Sequence, residues 1–393
     1  MADTSYISQK NPIKSFKEVE HSELDIVEKI SRLFIVYWHT NLSLFFNLNC
    51  CRFAGLFAIL MNFGFIYSSF ILLRIAIKTN FGDTQFVITF LRGFASLCIW
   101  YIVSFKWKAY FKAIHQLKRL NHESVSLKTL TLIYILVIGI TILLPIMYAV
   151  VEGYAISYNV NLFTDFWLAG LHIEDKSALQ EMLLFLVFIV YYAQQFIFPS
   201  VLSLVYCLLT WNISKATKSL KIPMKIQKYE TLLDIIEQRR KLAEFVKDFE
   251  TIFRGIMLWL TVYNLASLFA AFLMFVDVSK MKIPIEANEP IHILISSSAS
   301  FLGTVLCGAM VPESFAVLKK RLRKLRQNIL AGNSPMNGMQ MKYLMLLESV
   351  IDEEELFFTA WGFVNLNKSL ILSAMGALIT YGVLIVQLKP TSY

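Results

Sequence analysis

The chain is 393 residues long, 56% hydrophobic and only 17% charged, with a mean hydropathy of +0.57. That composition excludes an ordinary soluble domain and reads as a polytopic membrane protein. The net charge of +9 would suit nucleic acid if it were gathered in one polar domain. It is spread between apolar runs instead, so no nucleic-acid partner is expected.

Residues 1–52 open on a polar, charged stretch (Lys10, Lys14, Lys17, Glu18, Glu20, Glu23) with no apolar core and no small-residue cleavage site. This segment is expected to stay in the cytosol rather than act as a signal peptide. Leu33 to Phe46 is apolar but interrupted by His39 and Asn41 and too short to span, which suits a short interfacial or re-entrant helix. Spans are then predicted at Phe53–Leu73, Phe86–Phe105, Leu130–Val151, Leu183–Leu209, Gly255–Val276, Pro290–Val311 and Ser369–Leu388. Each has roughly the 20 helical residues that cross a ~30 Å hydrocarbon core. The expected fold is all-α with seven transmembrane helices. Residues 53–311 hold spans one to six, 312–368 a cytosolic helical segment, and 369–393 the last helix with a short tail.

Lys and Arg set the orientation, because they accumulate in cytoplasmic connections. Six precede the first span, six lie between spans two and three, ten between four and five, and seven between six and seven. The opposite side carries six. The N-terminus is therefore expected inside and the C-terminus outside. A seven-helix G-protein-coupled receptor has the opposite orientation. A secondary transporter is disfavoured because the two halves show neither an inverted repeat nor matched broken helices. The expected location is the plasma membrane, as a multi-pass protein in contact with lipid.

The cytosolic connections carry helical patterns of their own. From Ile226 through Leu232, Ile236, Phe245, Phe249 and Phe253, apolar residues keep helical spacing and predict a helix running unbroken into span five. Val317, Leu318, Leu322, Leu325 and Ile329 predict a similar extension of span six, beside a basic run, Lys319 to Arg326, that suits a solvated or headgroup-facing side. After a break at Gly332 to Gly338, a third helix is predicted over Gln340 to Phe363 with Leu344, Leu347, Ile351 and Phe358 as its stripe. Three such stripes need partners. They are expected to form a cytosolic bundle where subunits also meet.

Nothing in the chain resembles a catalytic constellation, and the six histidines (His21, His39, His115, His122, His172, His292) are scattered. No enzyme, cofactor or metal site is expected. The five cysteines, Cys50, Cys51, Cys98, Cys207 and Cys307, lie in or beside apolar spans and read as small apolar core residues. The outer halves of spans two to six are more informative. Arg92 sits about 10 Å along span two, where a charge is costly unless it faces a cavity or a counter-charge such as Glu152 or Glu181. Both alternatives stand on the sequence alone. Tyr148 and Glu152 in span three, Phe188, Tyr191, Tyr192 and Gln195 in span four, Tyr263 and Asn264 in span five, and His292 and Ser296 in span six mix aromatic surfaces with hydrogen-bonding groups. A pocket for a small organic ligand uses that mixture. Pro199 is expected to bend span four.

The last span closes the chain. Ser369, Ser373, Gly376, Ala377, Thr380 and Gln387 fall on one soft face, suited either to close helix packing or to contact with water. Thr380-Tyr381, five residues, then Gln387 resembles the C-terminal signature of insect gustatory receptors, with Leu388 in place of the family's Phe. The Gln387-Leu388-Lys389 ending also resembles the insect odorant co-receptor of the same superfamily. Upstream, Phe358-Thr359-Ala360-Trp361-Gly362-Phe363 is similar to the gustatory family's Phe-Thr-Ala-x-Gly-Phe segment. The resemblance covers about the final 35 residues. It implies a tastant-gated, nonselective cation channel, a homotetramer held by a cytosolic anchor, with the last helix lining a central pore. By position relative to the Gln, the family's constriction falls on Leu384, Gln387 and Leu388, with Thr380 two turns further in. An odorant-receptor subunit is the alternative within the superfamily.

Overall fold

A computed structural model describes residues 64, 66–67, 70, 84–120, 192–220, 229–276, 288–331, 338–352, 358–360, 362 and 364–388. The described elements, in order, are helix α1 (Thr84–Leu120), a π-helical turn (Ala193–Ile197), α2 (Phe198–Ser219), α3 (Tyr229–Val276), α4 (Asn288–Leu330), α5 (Gly338–Ile351), a hairpin of β1 (Thr359–Ala360) and β2 (Val364–Asn365), and α6 (Lys368–Leu388). The short helix proposed at Leu33–Phe46 and the spans proposed at Leu130–Val151 and over most of Phe53–Leu73 lie outside the described residues.

Three of these helices are long and apolar enough to cross a membrane: Gln194–Ser219, Leu232–Phe275 and Pro290–Leu330. The stretch Lys368–Leu384 is a shorter apolar helix. Helix α3 has 48 residues, about 72 Å at 1.5 Å per residue, more than twice a hydrocarbon core. As its apolar spacing predicts, it runs without interruption from the polar Tyr229 end to Val276. Helix α4, with 43 residues, likewise extends well past the bilayer thickness through Leu330.

Two cores follow from these lengths. Within the spans, α1 packs along α3 and α2 along α4, and their inner faces bury Trp100, Tyr110, Val205, Tyr206, Phe249 and Phe253. The rings of Phe249 and Phe253 stack at 4.4 Å, and Phe358 closes on Phe249 at 5.6 Å. Beyond the spans, Leu232 and Ile236 of α3, Leu322 and Leu325 of α4, and Leu347, Val350 and Ile351 of α5 form a second core. Arg326 and Glu348 join α4 to α5 across 2.9 Å.

One sequence expectation is corrected here. The third helix does not run from Gln340 to Phe363: α5 ends at Ile351, and Thr359–Asn365 is an antiparallel hairpin pairing Thr359 with Asn365 and Ala360 with Val364. Gly362 supplies the turn, with φ of +79°, a left-handed conformation that a side chain would strain. The Thr359 hydroxyl fixes the turn from inside, accepting the Gly362 N–H at 3.1 Å while donating to Glu250 Oε1 of α3 at 2.6 Å. Local aromatic and threonine content suits a strand better than a helix, and the α3 surface offers a partner for it.

Candidate functional site

The candidate pocket region is organised by a break in the helix just before α2. Pro199 has no N–H, so the carbonyls one turn before it lose a helical donor, and the backbone widens into the π-turn Ala193–Ile197. Neighbouring helices supply what is missing. Ser96 Oγ of α1 donates to the Gln194 carbonyl at 2.9 Å, and the Tyr263 hydroxyl of α3 donates to the Gln195 carbonyl. A buried carbonyl without such a donor would cost about 1–3 kcal/mol.

The π-turn also turns Phe196 inward, and three groups gather on its ring. The Arg92 guanidinium of α1 lies 5.1 Å from the ring centroid, His292 of α4 packs edge-on at 5.3 Å, and Tyr192 stacks at 4.7 Å. Arg92, Tyr192, Phe196 and His292 are all buried. A guanidinium over an aromatic face gains roughly 0.5–2 kcal/mol, more as it is desolvated. Helix α3 also buries Asn264 and Ser267 completely, close along the helix to Tyr263, whose hydroxyl reaches the π-turn. The two amide atoms of Asn264, the Ser267 hydroxyl and Gln195 Oε1 have no hydrogen-bond partner among the described residues. Aromatic walls with buried, unsatisfied donors and acceptors are what a small polar organic molecule requires.

Of the pocket residues expected from sequence, Arg92, Tyr192 and His292 meet on the Phe196 ring, Tyr263 reaches the Gln195 carbonyl of the same π-turn, and Asn264 is buried on α3 next to Tyr263 in sequence. Ser296 stands apart, half-buried with its hydroxyl on the carbonyl of Ile293 in its own helix. Tyr148, Glu152, Phe188 and Tyr191 lie outside the described residues. Phe196, Ser96 and Ser267 were not singled out by the sequence. Pro199 carried a signal for the first two, since its missing N–H points to the carbonyls of Gln194 and Gln195. Ser267 follows Asn264 and Tyr263 at helical spacing.

The second candidate region is α6. Asn367 caps it, its side-chain oxygen accepting from the Leu370 N–H at 3.2 Å and from Ser369 Oγ at 2.6 Å. One side of α6 packs inward: Ala374 joins Phe301 and Val305 of α4, Tyr381 meets Phe269 of α3 edge-on at 6.1 Å, and Gly382 lies directly against the Phe272 ring. The other side carries Ser369, Ser373, Gly376, Thr380, Leu384 and Gln387, all exposed in the single chain. Thr380 hides its hydroxyl on the Gly376 carbonyl at 2.8 Å. Leu388 is the last residue of the helix.

The architecture has solved counterparts. The chain is similar to the insect olfactory receptor OR5 from Machilis hrabei, solved in complex with eugenol, with a TM-score of 0.70 and 10% identity over 95% of this chain and 100% of that one. It is also similar to the same receptor solved without a stated ligand, with a TM-score of 0.69 and 11% identity over 93% and 98% of the two chains. The chain has the fold of an insect olfactory receptor. At 10–11% identity it is a likeness of fold. No protein-family model and no curated protein sequence matches the chain.

Proposed function

We propose that this chain is a subunit of an insect gustatory receptor, a tastant-gated and nonselective cation channel in the plasma membrane that assembles from four copies. The observation that carries this reading is the soft, exposed face of α6. Ser369, Gly376, Thr380, Leu384 and Gln387 face away from their own protomer, while the opposite side packs on α3 and α4. Four copies of that face around an axis would line a pore, with Leu384 and Leu388 as an apolar constriction that closes by dewetting and Gln387 offering neutral oxygens to passing cations. The N-terminus inside and the C-terminus outside follow from the Lys and Arg distribution. The agonist would occupy the region of Phe196, Asn264 and Ser267 and open the pore through higher affinity for the open state.

A second reading is an odorant-receptor subunit, and the olfactory-receptor fold favours it. The C-terminal motifs favour the gustatory reading. Current recorded from cells expressing this chain alone, under sugars, bitter plant compounds and volatile phenols including eugenol, separates the two. Currents with soluble tastants support the gustatory assignment, and currents with volatiles alone overturn it. Leu384→Ser should raise ligand-independent current and Gln387→Glu should alter divalent block; wild-type behaviour in both would place the pore elsewhere.

A further inference from the structure

The hairpin that precedes α6 is seated in a cradle formed by three other helices. Phe358, at its start, packs on Phe249 of α3 at 5.6 Å and on Tyr206 of α2 at 6.5 Å. Thr359 donates to Glu250 Oε1 of α3 at 2.6 Å. Leu366, just past its second strand, closes over Gly308 of α4, with its Cβ 3.4 Å from the point a Cβ on that glycine would occupy. Phe358, Ala360 and Leu366 are all buried. The Leu366 N–H donates to the Phe358 carbonyl at 2.9 Å, which ties the two anchored ends to each other.

Helix α6 leaves this cradle without slack. Only Asn367 stands between Leu366 and Lys368, so the foot of α6 lies within about 7 Å of the seated leucine. The polar contact of the seat is the Glu250–Thr359 bond, and Glu250 differs from the acidic groups around it. Glu237, Glu244, Glu313 and Glu348 each have a lysine or arginine within 4.0 Å. Glu250 is half-buried, forms no ion pair among the described residues and accepts the Thr359 hydroxyl. A carboxylate drawn partly out of water without a counter-charge is unfavourable unless hydrogen bonds compensate it. Threonine suits the place because one hydroxyl donates and accepts at once, and here it also takes the Gly362 N–H at 3.1 Å. Loss of that hydroxyl therefore loosens the turn and the seat together.

We propose that Glu250 and Thr359 are a positioning pair, whose hydrogen bond clasps the hairpin to α3 and thereby fixes the foot of α6. This rests on the reading of α6 as the pore-lining helix. With the clasp closed, the hairpin is held to α2, α3 and α4 at once, and the foot of α6 shifts only by lifting Leu366 off Gly308. With the clasp open, the two apolar contacts of Phe358 and Leu366 remain at the hairpin, and the foot gains the freedom that lets the pore leak.

The test uses the full chain purified in detergent, with backbone hydrogen exchange read by mass spectrometry. In Thr359→Val and in Glu250→Ala, peptides over the hairpin and the first turn of α6 should exchange about three- to tenfold faster than in wild type, the range set by the net contribution of one hydrogen bond, while peptides from α2 exchange as before. Thr359→Ser and Glu250→Gln keep a donor and an acceptor and should match wild type; because Gln carries no charge, its agreement assigns the effect to the hydrogen bond. In cells, Thr359→Val and Glu250→Ala should each raise ligand-independent current by a similar factor, and the double variant should add nothing further. If Thr359→Val folds poorly, Glu250→Ala against Glu250→Gln carries the comparison. A wild-type chain that passes no current under any agonist counts against the channel reading instead, and the exchange measurement still decides whether the pair fixes the foot of α6. Unchanged exchange in both Thr359→Val and Glu250→Ala overturns the proposal, as does faster exchange with wild-type current, or a double variant whose effect is the product of the two single ones.

Discussion

Lys368 Nζ lies 2.7 Å from Glu313 Oε1, so the first residue of α6 is tied to α4 just past Pro312. Both side chains are more than half exposed, and the pair adds little to stability, about 0–1 kcal/mol. Its position matters more than its energy, because it joins the base of the proposed pore helix to the helix that carries His292.

If that tie restrains α6, Lys368→Glu should change ligand-independent current in cells expressing the chain while leaving surface expression close to wild type. The charge-swapped pair Glu313→Lys with Lys368→Glu should return the current toward wild type. Failure of the swap to restore it would show that each residue acts alone.

The Tyr263 hydroxyl donates to a carbonyl that Pro199 leaves without its helical donor. Tyr263→Phe should therefore cost about 1–3 kcal/mol, seen as a lower Tm of the purified chain. Pairing it with Pro199→Ala, which restores an N–H, should recover part of that loss. An unchanged Tm in Tyr263→Phe would mean that another group meets the carbonyl.

Arg92 rests on the Phe196 ring at 5.1 Å. Arg92→Ala should shift agonist sensitivity while sparing surface expression. Collapse of expression would make Arg92 a structural group instead. Phe196→Leu should shift sensitivity in the same direction, because it removes the shared platform of Arg92, His292 and Tyr192.

The proposed anchor separates into two faces that the sequence pattern had merged. Leu347 and Ile351 are buried within a single chain, whereas Met341 and Met345 of α5 are 50% and 63% exposed. Met345→Glu should lower tetramer recovery on size-exclusion chromatography with helix content retained. Leu347→Asp should lower folded yield altogether. Equal tetramer yield in Met345→Glu would place the subunit contact on another surface.

Gly382 is pressed against the Phe272 ring with no room for a Cβ. Gly382→Ala should cost about 1–3 kcal/mol in thermal unfolding, and Phe272→Leu in the same chain should relieve part of it. Full stability in the single variant would show that α6 can shift away from α3.

Much of the fold was legible because membrane helices announce themselves by length. The continuous apolar spacing through Phe245, Phe249 and Phe253 gave α3 its full extent, and Leu318, Leu322 and Leu325 gave α4 its extension. The hairpin was not legible. Phe358 continues the helical stripe of Leu347 and Ile351, and only the positive φ at Gly362 and the Glu250 carboxylate opposite Thr359 reveal a turn. Residue types alone brought Arg92, Tyr192 and His292 into one list, but they could not show Phe196 as the ring on which those three assemble.

The uninterrupted length of α3 has a mechanical consequence. A helix without a break offers no hinge at which to absorb motion, so a rotation of the whole rod would pivot on the packed stack of Phe249 and Phe253 near its middle. Rotation by about 5° moves a point some 25 residues away by about 3 Å. Asn264 and Ser267 stand on one arm of that rod, and Leu232 and Ile236 on the other. A sideways push at Asn264 that turned the rod would appear, reversed in direction, among the leucines at the far end.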